Sequence, residues 1–485
     1  KPACEKEMNQ PQPFDSDEPG TAFDLAIVGA GSAGFAAAIS AADEGARVAL
    51  IGHGTLGGTC VNVGCVPSKT LIRAAHAIHA ANHASRFAGV SASARLDDWA
   101  ALVAQKDALV ADMRQKKYAD LLPEYEGVDY IDAGPARLVE GGVTIGERTL
   151  KAPKTIIATG GRPVLPTIDG IEDIGALDST SLLELETLPK SLIFIGAGYI
   201  GAELAQMMSR MGVKVTLVAR SHLLPGAEPE VSEALAAAFE AEGITLLTGL
   251  SYDTVRRDDA GVTLRVIQNG KPVEVTADHL VSTAGRRANT KDMGLDAIGV
   301  ETDARGSIVV GEDMQTSVRG IYAAGDVTDR DQFVYMAAYG AKLAAKNAVL
   351  GEDHRYDNAA MPWVVFSDPQ VAGVGLGEAQ ARDAGLDVKT SIVPLDQVPR
   401  ALAARDTRGL IKLVADRKSD RLLGGQIIAP EGSDTIQTLV MALKFGMTTK
   451  ALGETVFPYL TTVEGLKLAA QTFDMDVAKL SCCAG

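Results

Sequence analysis

The sequence contains few cysteines, no excess of positive charge and no long apolar run free of glycine and serine. Five cysteines in 485 residues are too few for a disulfide-rich scaffold, and their clustering favours thiol chemistry in a reducing compartment. The formal net charge of −16 argues against nucleic acid or an anionic membrane as a general partner. The uncharged run Leu25–Ala42 has the length of a membrane span, but its glycines and serines favour a buried strand that turns into a buried helix. We therefore expect a cytoplasmic protein without a membrane segment.

The length and glycine content point to a large α/β protein of about three domains. Fifty glycines and a hydrophobic content of 46% suit many tight turns between strands and helices. Residues 1–20 are polar, contain four prolines and show no signal-peptide pattern, so they predict a linker.

The main chemical feature is GGTCVNVGCVPSK at residues 57–69, in which four residues separate Cys60 from Cys65. Proline favours the first turn of a helix, so Cys65 is predicted just ahead of a helix that begins near Pro67. The positive end of that helix would favour a thiolate. An oxidisable thiol pair at a helix start indicates a redox centre or a soft-metal site, and two unrelated buried cysteines are the alternative.

Residues 23–51 predict a first nucleotide-binding unit. The strand Phe23–Val28 leads into GAGSAG with Gly29, Gly31 and Gly34, an alanine-rich helix to about Glu44, and the strand Arg47–Ile51. Strand, glycine turn, helix and strand within about thirty residues form the dinucleotide-binding unit, whose glycines allow a pyrophosphate to approach the helix N-terminus.

This first unit lacks the acidic residue that should end its second strand and bind a ribose hydroxyl. Gly52 and His53 stand there instead. Ribose binding must then use another group or water.

A second unit repeats the pattern about 167 residues later. SLIFI at Ser191–Ile195 precedes GAGYIG with Gly196, Gly198 and Gly201, a helix to Met211 and the strand Val213–Val218. Two units imply two nucleotides. The second strand is followed by Arg220, which suits a 2′-phosphate, so the sequence favours NADPH over NADH. The alternative is a surface arginine in an NAD site.

Histidines are scarce, and the last of the seven is His354. His76, His79 and His83 follow Cys65 along one predicted helix that runs to about Ser85, at a spacing that could place them near one face. We interpret them as a partly exposed polar stripe rather than metal ligands, because no acid or cysteine nearby completes a site.

The remaining sequence predicts a strand that ends in an aspartate, IYAAGD at Ile321–Asp326, and a helix at Gln332–Leu350. From about Pro362 onward short strands and a helix without a glycine fingerprint predict a third, α+β unit.

The order of these motifs resembles the flavoprotein disulfide reductases over nearly the whole chain from about Thr21. The resemblance implies FAD on the first unit, NADPH on the second, and a homodimer in which each active site is completed by the partner chain. It implies an FAD-binding domain at residues 21–165 and 288–360, an NADPH-binding domain at 166–287, and a dimerisation domain with a cysteine tail at 361–485.

The resemblance also assigns roles by position. Cys65 would be the thiolate in charge transfer with the flavin, Cys60 would meet substrate, and the two would form the redox-active disulfide. Lys69 and Glu203 would form an ion pair beside the flavin, with Tyr199 over its nicotinamide side. The positions that match cofactor contacts are Gly29, Gly31, Ala33, Gly34, Gly54, Thr59, Ala136, Thr159, Gly160, Asp326 and Val334 for FAD, and Gly196, Gly198, Gly201 and Arg220 for NADPH.

One difference from the family pattern argues against a disulfide as the substrate. Disulfide-reducing members present a His-Pro motif with a downstream glutamate, but here Phe457 replaces the histidine and Thr462 the glutamate. Without this imidazole the site lacks the general acid that usually protonates the leaving thiolate. The chain instead ends with Cys482 and Cys483 and has Tyr459 beside the missing motif, as in the mercury(II)-reducing branch of the family.

That branch implies Hg(II) as substrate, because thiolates prefer soft metals. Hg(II) would pass from external thiols to Cys482 and Cys483 of one subunit, then to Cys60 and Cys65 of the other, with Tyr199 and Tyr459 beside the path. Two alternatives stay open. The first is a disulfide reductase like thioredoxin or glutathione reductase, against which Phe457 speaks. The second is a non-catalytic flavoprotein or metal-sequestering scaffold, which the intact cysteine motif disfavours.

Overall fold

The computed structural model describes residues 22–476. Cys4, Cys482 and Cys483 lie outside these described residues. Contacts divide the described chain into two compact units. Unit one comprises residues 22–67, 105–162 and 286–357, and unit two comprises residues 68–104, 163–285 and 358–476.

Strands and helices are numbered in chain order. The strands are β1 (Leu25–Val28), β2 (Val48–Gly52), β3 (Val128–Asp132), β4 (Ala136–Val139), β5 (Gly142–Ile145), β6 (Arg148–Lys151), β7 (Lys154–Ile157), β8 (Gly161–Pro163), β9 (Leu177–Asp178), β10 (Ser191–Ile195), β11 (Lys214–Val218), β12 (Thr245–Leu247), β13 (Leu250–Asp258), β14 (Gly261–Gln268), β15 (Lys271–Ala277), β16 (His279–Ser282), β17 (Arg286–Ala288), β18 (Ile321–Ala323), β19 (Pro362–Val365), β20 (Gln370–Gly375), β21 (Val388–Pro394), β22 (Leu410–Asp416) and β23 (Leu422–Ala429). The helices are α1 (Ser32–Asp43), α2 (Gly58–Asn62), α3 (Cys65–Asn82), α4 (Trp99–Arg114), α5 (Ser179–Leu183), α6 (Tyr199–Arg210), α7 (Pro229–Ala241), α8 (Leu295–Ile298), α9 (Val334–Leu350), α10 (Glu378–Asp383), α11 (Pro399–Ala404), α12 (Gly432–Lys444), α13 (Thr449–Glu454) and α14 (Glu464–Gln471).

Unit one is built on a parallel sheet with the order β18-β7-β1-β2-β3. Every residue of β1 and β2 is buried, as expected when helices and other layers cover both faces of a parallel sheet. The register pairs Leu25 with Val48 and with Lys154, so β1 is central and its glycine turn emerges from the middle of the sheet. Helices α1 and α9 pack against each other, and the small residues of α1 allow this close approach.

Unit two repeats this arrangement in a parallel sheet with the order β12-β11-β10-β16-β9. β10 pairs with β11 on one side and β16 on the other, as β1 pairs with β2 and β7. The antiparallel meander β13-β14-β15 was not predicted from sequence, and the core formed with it includes Ile193, Val262 and Leu264.

The last part of unit two is a five-stranded antiparallel sheet with the order β19-β20-β23-β22-β21. Helices α12 and α14 pack on it through apolar side chains that include Ile436, Leu439 and Leu466. The fold class predicted from sequence is therefore confirmed: two Rossmann-like βαβ units and a C-terminal α+β part.

The helix after the cysteines begins two residues earlier than predicted and ends sooner. α3 starts at Cys65 itself and ends at Asn82 rather than near Ser85. Pro67 is then the third helical residue, where a missing N–H costs nothing because the first N–H groups of a helix have no intrahelical acceptor. Helix α4 ends at Arg114 and is followed by one π-helical turn at Gln115–Ala119.

None of the helices within residues 22–476 combines the length and apolar character needed to cross a bilayer. The run Leu25–Ala42 forms β1, the glycine turn and most of α1, as predicted.

Candidate active site

The cysteine pair lies on two consecutive helices of very different length. Cys60 belongs to the single turn α2, and Cys65 is the first residue of α3. Both side chains are half-buried. Between them Gly64 allows a close return of the chain, since a Cβ there would lie 2.9 Å from the carbonyl oxygen of Thr59 and 3.3 Å from the Cα of Cys60. Cys65 thus stands at the positive end of an 18-residue helix, a position that stabilises a thiolate.

Asn62 fixes this loop, a role that its sequence position did not reveal. Its amide nitrogen donates to the carbonyl oxygens of Leu56 and Gly58, both at 2.8 Å. Its amide oxygen accepts from Arg114 at 3.0 Å. The side chain therefore ties both ends of α2 to α4 and holds the turn that carries Cys60.

In unit two, Lys69 and Glu203 are brought together as an ion pair. Lys69 Nζ lies 2.5 Å from Glu203 Oε2, and the Glu203 side chain is only 6% exposed. Phe366 contacts both members: its backbone N–H donates to Glu203 Oε1 at 2.9 Å, and its ring lies 5.1 Å from Lys69 Nζ. A buried carboxylate that pairs with an ammonium and also accepts from a backbone N–H is held in a fixed position. Phe366 gave no signal in the sequence.

Tyr199, the first residue of α6, stacks on Trp363 of β19. The ring centroids are 5.4 Å apart with an interplanar angle of 12°. Burial raises the pKa of Tyr199 to about 12, so the phenol stays protonated at physiological pH. Trp363 is a second contact that sequence analysis did not identify.

The glycine turn of unit one packs closely against neighbouring backbone. A Cβ at Gly29 (φ +119°) would lie 2.2 Å from the carbonyl oxygen of Ala158, and one at Gly34 would lie 1.7 Å from that of Gly29. Both positions therefore exclude a side chain. Gly31 caps α1, whose first turn carries no acidic residue to oppose an anion.

The turn of unit two is built in the same way. A Cβ at Gly196 would lie 2.5 Å from the carbonyl oxygen of Thr283, and one at Gly201 would lie 1.9 Å from that of Gly196. A Cβ at Gly198 would meet no atom within 4 Å, so this position opens onto free space at the start of α6. Arg220 is exposed two residues beyond β11. The residues of both turns fit a dinucleotide.

The other predicted flavin contacts lie in unit one at strand ends and helix starts. Asp326 follows β18, and Arg286 Nε lies 3.4 Å from its Oδ2. Burial raises the pKa of Asp326, and the Arg286 charge opposes this shift. The Thr159 hydroxyl donates to the carbonyl oxygen of Asn289 at 2.7 Å. Asn289 in turn donates its side-chain amide to the carbonyl oxygen of Thr159 at 3.0 Å and its backbone N–H to that of Gly160 at 2.9 Å. The remaining positions are Ala33 within α1, Gly54 with φ +88° after β2, Thr59 on α2, Ala136 at the start of β4 and Val334 at the start of α9.

The segment that replaces the His-Pro motif is exposed in unit two. Tyr459 is 50% exposed, and Phe457 is half-buried beside it. Thr462, in place of the glutamate, is buried and donates to Glu431 Oε2 at 2.7 Å. The predicted partners Cys482 and Cys483 lie outside the described residues.

The interpretation of the histidines as a partly exposed stripe is confirmed: His76 and His79 are half-buried and His83 is exposed. Acids do lie near them in space, although none completes a metal site among residues 22–476. His79 Nε2 is 3.7 Å from Glu242 Oε1, and Arg210 holds that glutamate through two hydrogen bonds of 2.6 and 2.8 Å. Burial, and next the Arg210 charge, lower the pKa of both His76 and His79 to about 4. The lowered pKa keeps both imidazoles neutral at physiological pH.

Comparison with known proteins identifies the family. The pyridine nucleotide-disulphide oxidoreductase model matches residues 23–345, and the dimerisation-domain model of the same family matches residues 361–470. A mercuric reductase of Lysinibacillus sphaericus is 46% identical over 465 residues, 96% of this chain and 85% of that protein. A mercuric reductase of Streptomyces lividans is 45% identical over 96% of this chain and 99% of that protein.

A solved structure has the same fold. The HOCl-induced flavoprotein disulfide reductase RclA from Escherichia coli superposes with a TM-score of 0.81 at 28% identity, over 92% of this chain and 99% of that one. The chain belongs to the pyridine nucleotide-disulphide oxidoreductase family and, within it, to the mercuric reductases.

Proposed function

We propose that this protein is an NADPH-dependent flavoenzyme that reduces Hg(II) to Hg(0). The observation that carries the proposal is that the chain keeps the cysteine pair, Cys60 on α2 and Cys65 at the start of α3, but has no imidazole in the segment Phe457–Tyr459. Membership of the mercuric reductases supports the same activity. FAD suits the turn at Gly29–Gly34, and NADPH suits the turn at Gly196–Gly201, where Arg220 is exposed for a 2′-phosphate.

When bound, the flavin would accept a hydride from NADPH and supply two electrons to Hg(II), so that NADPH and Hg(II) give NADP⁺, a proton and Hg(0). Cys65 at the helix start would hold its sulfur as a thiolate, and Cys60 would provide the second sulfur for linear coordination. The ion pair of Lys69 with Glu203 would place one fixed positive charge near the flavin. Tyr199 and Tyr459 would lie beside the mercury path as weak ligands or phenol donors.

Exchange of Hg(II) between thiolates explains why the histidine is dispensable. Each step breaks one Hg–S bond and forms another, so no leaving thiolate requires a general acid. We propose that Cys482 and Cys483 collect Hg(II) from external thiol complexes and deliver it to Cys60 and Cys65 of the partner subunit.

A shared site requires a homodimer, and the surface of the C-terminal part supports one. Apolar side chains there are strongly exposed, with Val456 at 93% and Phe445 at 71%. A second copy of the chain would cover them. In this proposal residues 361–485 form the dimerisation domain, residues 21–165 and 288–360 bind FAD, and residues 166–287 bind NADPH. A reducing cytoplasm would keep all four thiols active.

The test is NADPH oxidation at steady state with Hg(II) presented as a complex with excess thiol, compared with oxidised glutathione and thioredoxin as substrates. We expect turnover with Hg(II) only, and a sharp loss when Cys482 and Cys483 are both changed to alanine. Turnover of either disulfide at a comparable rate would replace the proposal with a disulfide reductase.

A further inference from the structure

The end of β2 lacks the acidic residue that would bind the ribose of a nucleotide, and the proposed function does not say what replaces it. In a nucleotide-binding βαβ unit an acid at this position binds the hydroxyls of a ribose. Here β2 ends at the buried Gly52, and the next residue, His53, is exposed. The adenosine half of FAD therefore needs another partner in unit one.

Tyr130 fills the space that the missing acid would occupy. β2 and β3 are parallel neighbours, with Tyr130 paired to Leu50 and lying on the same face of the sheet as Gly52 two residues later. A Cβ at Gly52 would lie 2.3 Å from the Tyr130 hydroxyl oxygen and 2.7 and 2.8 Å from two of its ring carbons. The phenol thus excludes any side chain at Gly52 and carries its hydroxyl to the carboxyl end of β2.

The chemistry of this hydroxyl suits a ribose. Burial, and next the Asp132 charge, raise the pKa of Tyr130 to about 12, so the group remains a neutral O–H that both donates and accepts. Among the described residues 22–476 the hydroxyl finds no hydrogen-bond partner, and the side chain is only half-buried. A partly exposed polar group for which no partner is found within residues 22–476 is available to a ligand.

We propose that the Tyr130 hydroxyl replaces the absent acid and hydrogen-bonds the ribose in the adenosine half of FAD. Gly52 on β2 has no side chain that could bind the ribose, and Tyr130 on β3 supplies the polar group instead. The inference rests on the flavin of the proposed function and is independent of the metal that is reduced. The competing candidate is Asp132, which lies opposite Gly52 in the register and is exposed.

The experiment measures FAD affinity of the full-length protein by the recovery of flavin fluorescence on dilution of the holoenzyme. Tyr130→Phe removes only the hydroxyl, and we expect FAD to bind about three- to tenfold more weakly, as for the loss of one hydrogen bond. The Kd of ADP, which contains the adenosine half alone, should rise by the same factor. Asp132→Asn is the matched control and should leave both values unchanged.

A compensating pair provides the second test. Gly52→Glu alone should weaken FAD binding, because its side chain collides with Tyr130. Gly52→Glu combined with Tyr130→Val restores an acid and makes room for it, so affinity should return to within about threefold of the parent. Unchanged affinity in Tyr130→Phe, or an equal or larger loss in Asp132→Asn, would overturn the assignment. Hg(II) turnover does not enter these readouts, so failure of the mercury proposal would be seen separately.

Discussion

Helices α1 and α6 follow equivalent glycine turns, yet their side chains serve different purposes. α1 carries no charged residue before its last position, Asp43, and its buried residues are mainly alanines. α6 carries Tyr199, Glu203, Gln206 and Arg210 at intervals of four, three and four residues, which places them along one face.

That face of α6 holds the segment from β19 to Asp368. Tyr199 stacks on Trp363, Glu203 accepts from Phe366, and Gln206 exchanges two hydrogen bonds of 2.8 Å with the backbone of Asp368. Both helices therefore begin with the same kind of glycine turn. Only α6 also uses a polar face along its length to hold other residues of the site in place.

The largest expected effect concerns the connection after the second strand of each unit. In unit one this connection leads to Cys65, and in unit two to Arg220 and no cysteine. Cys65→Ser should lower Hg(II)-dependent NADPH oxidation by about 10³-fold, because serine is not a soft-metal ligand or a charge-transfer donor. The long-wavelength absorbance of the flavin–thiolate pair should disappear with it. Cys4→Ser is the control. An equal loss of activity in that variant would mean that the effect is not specific to the pair Cys60 and Cys65.

A second prediction distinguishes Gly201, which packs against backbone, from Gly198, which faces open space in the same turn. Gly201→Ala should destabilise the fold by about 2–3 kcal/mol, because its Cβ would lie 1.9 Å from the carbonyl oxygen of Gly196. Gly198→Ala should leave the midpoint of thermal unfolding unchanged but raise KM for NADPH about tenfold, because the added methyl faces the open space at the start of α6. Equal destabilisation by both variants, measured by thermal unfolding, would show that Gly198 is structural.

The third prediction concerns His76 of α3, whose pKa is influenced by Arg210 at the end of α6. The pKa of His76 is about 4 in the folded protein and about 6.5 when unfolded, so the unfolded chain binds more protons between these values. The resulting contribution to stability is present above pH 6.5 and is lost as the pH falls towards 4. Besides burial, the charges of Arg210 and Arg73 lower the pKa of His76, and those of Asp368 and Glu242 raise it.

His76→Gln should therefore flatten the dependence of the unfolding free energy on pH by about 2 kcal/mol between pH 6.5 and 4. Urea unfolding across this range measures it. His53→Gln, at an exposed position in unit one, is the matched control and should keep the parent slope. A slope that persists in the His76 variant would assign the acid sensitivity to other groups.

Local patterns predicted the strands and glycine turns of both units almost to the residue, because each depends on neighbours in sequence. The strand Ser191–Ile195 has the predicted bounds. The support contacts were not predictable in this way: Phe366 reaches Glu203 across 163 residues, and Arg114 reaches Asn62 across 52. Gly52 was identified as unusual, but its explanation required Tyr130 on the neighbouring strand.

The smallest expected effect distinguishes the first residue of the two helices. Ser32 begins α1, and Tyr199, stacked on Trp363, begins α6. If Tyr199 must move for NADPH to reach the flavin, the stack opposes that motion by about 0.5–1.5 kcal/mol. Trp363→Leu should then lower KM for NADPH about two- to fivefold.

This change in KM should not vary between pH 6 and 9, because Tyr199 remains protonated there, with a pKa of about 12. Tyr118→Phe, which removes the hydroxyl 3.3 Å from Ser32 at the turn of unit one, is the control and should leave KM for NADPH as it is. A rise in KM for Trp363→Leu would mean that the stack orients Tyr199 for binding. In that case the indole supports the nicotinamide site instead of closing it, and the face of α6 acts in recognition as well as in support.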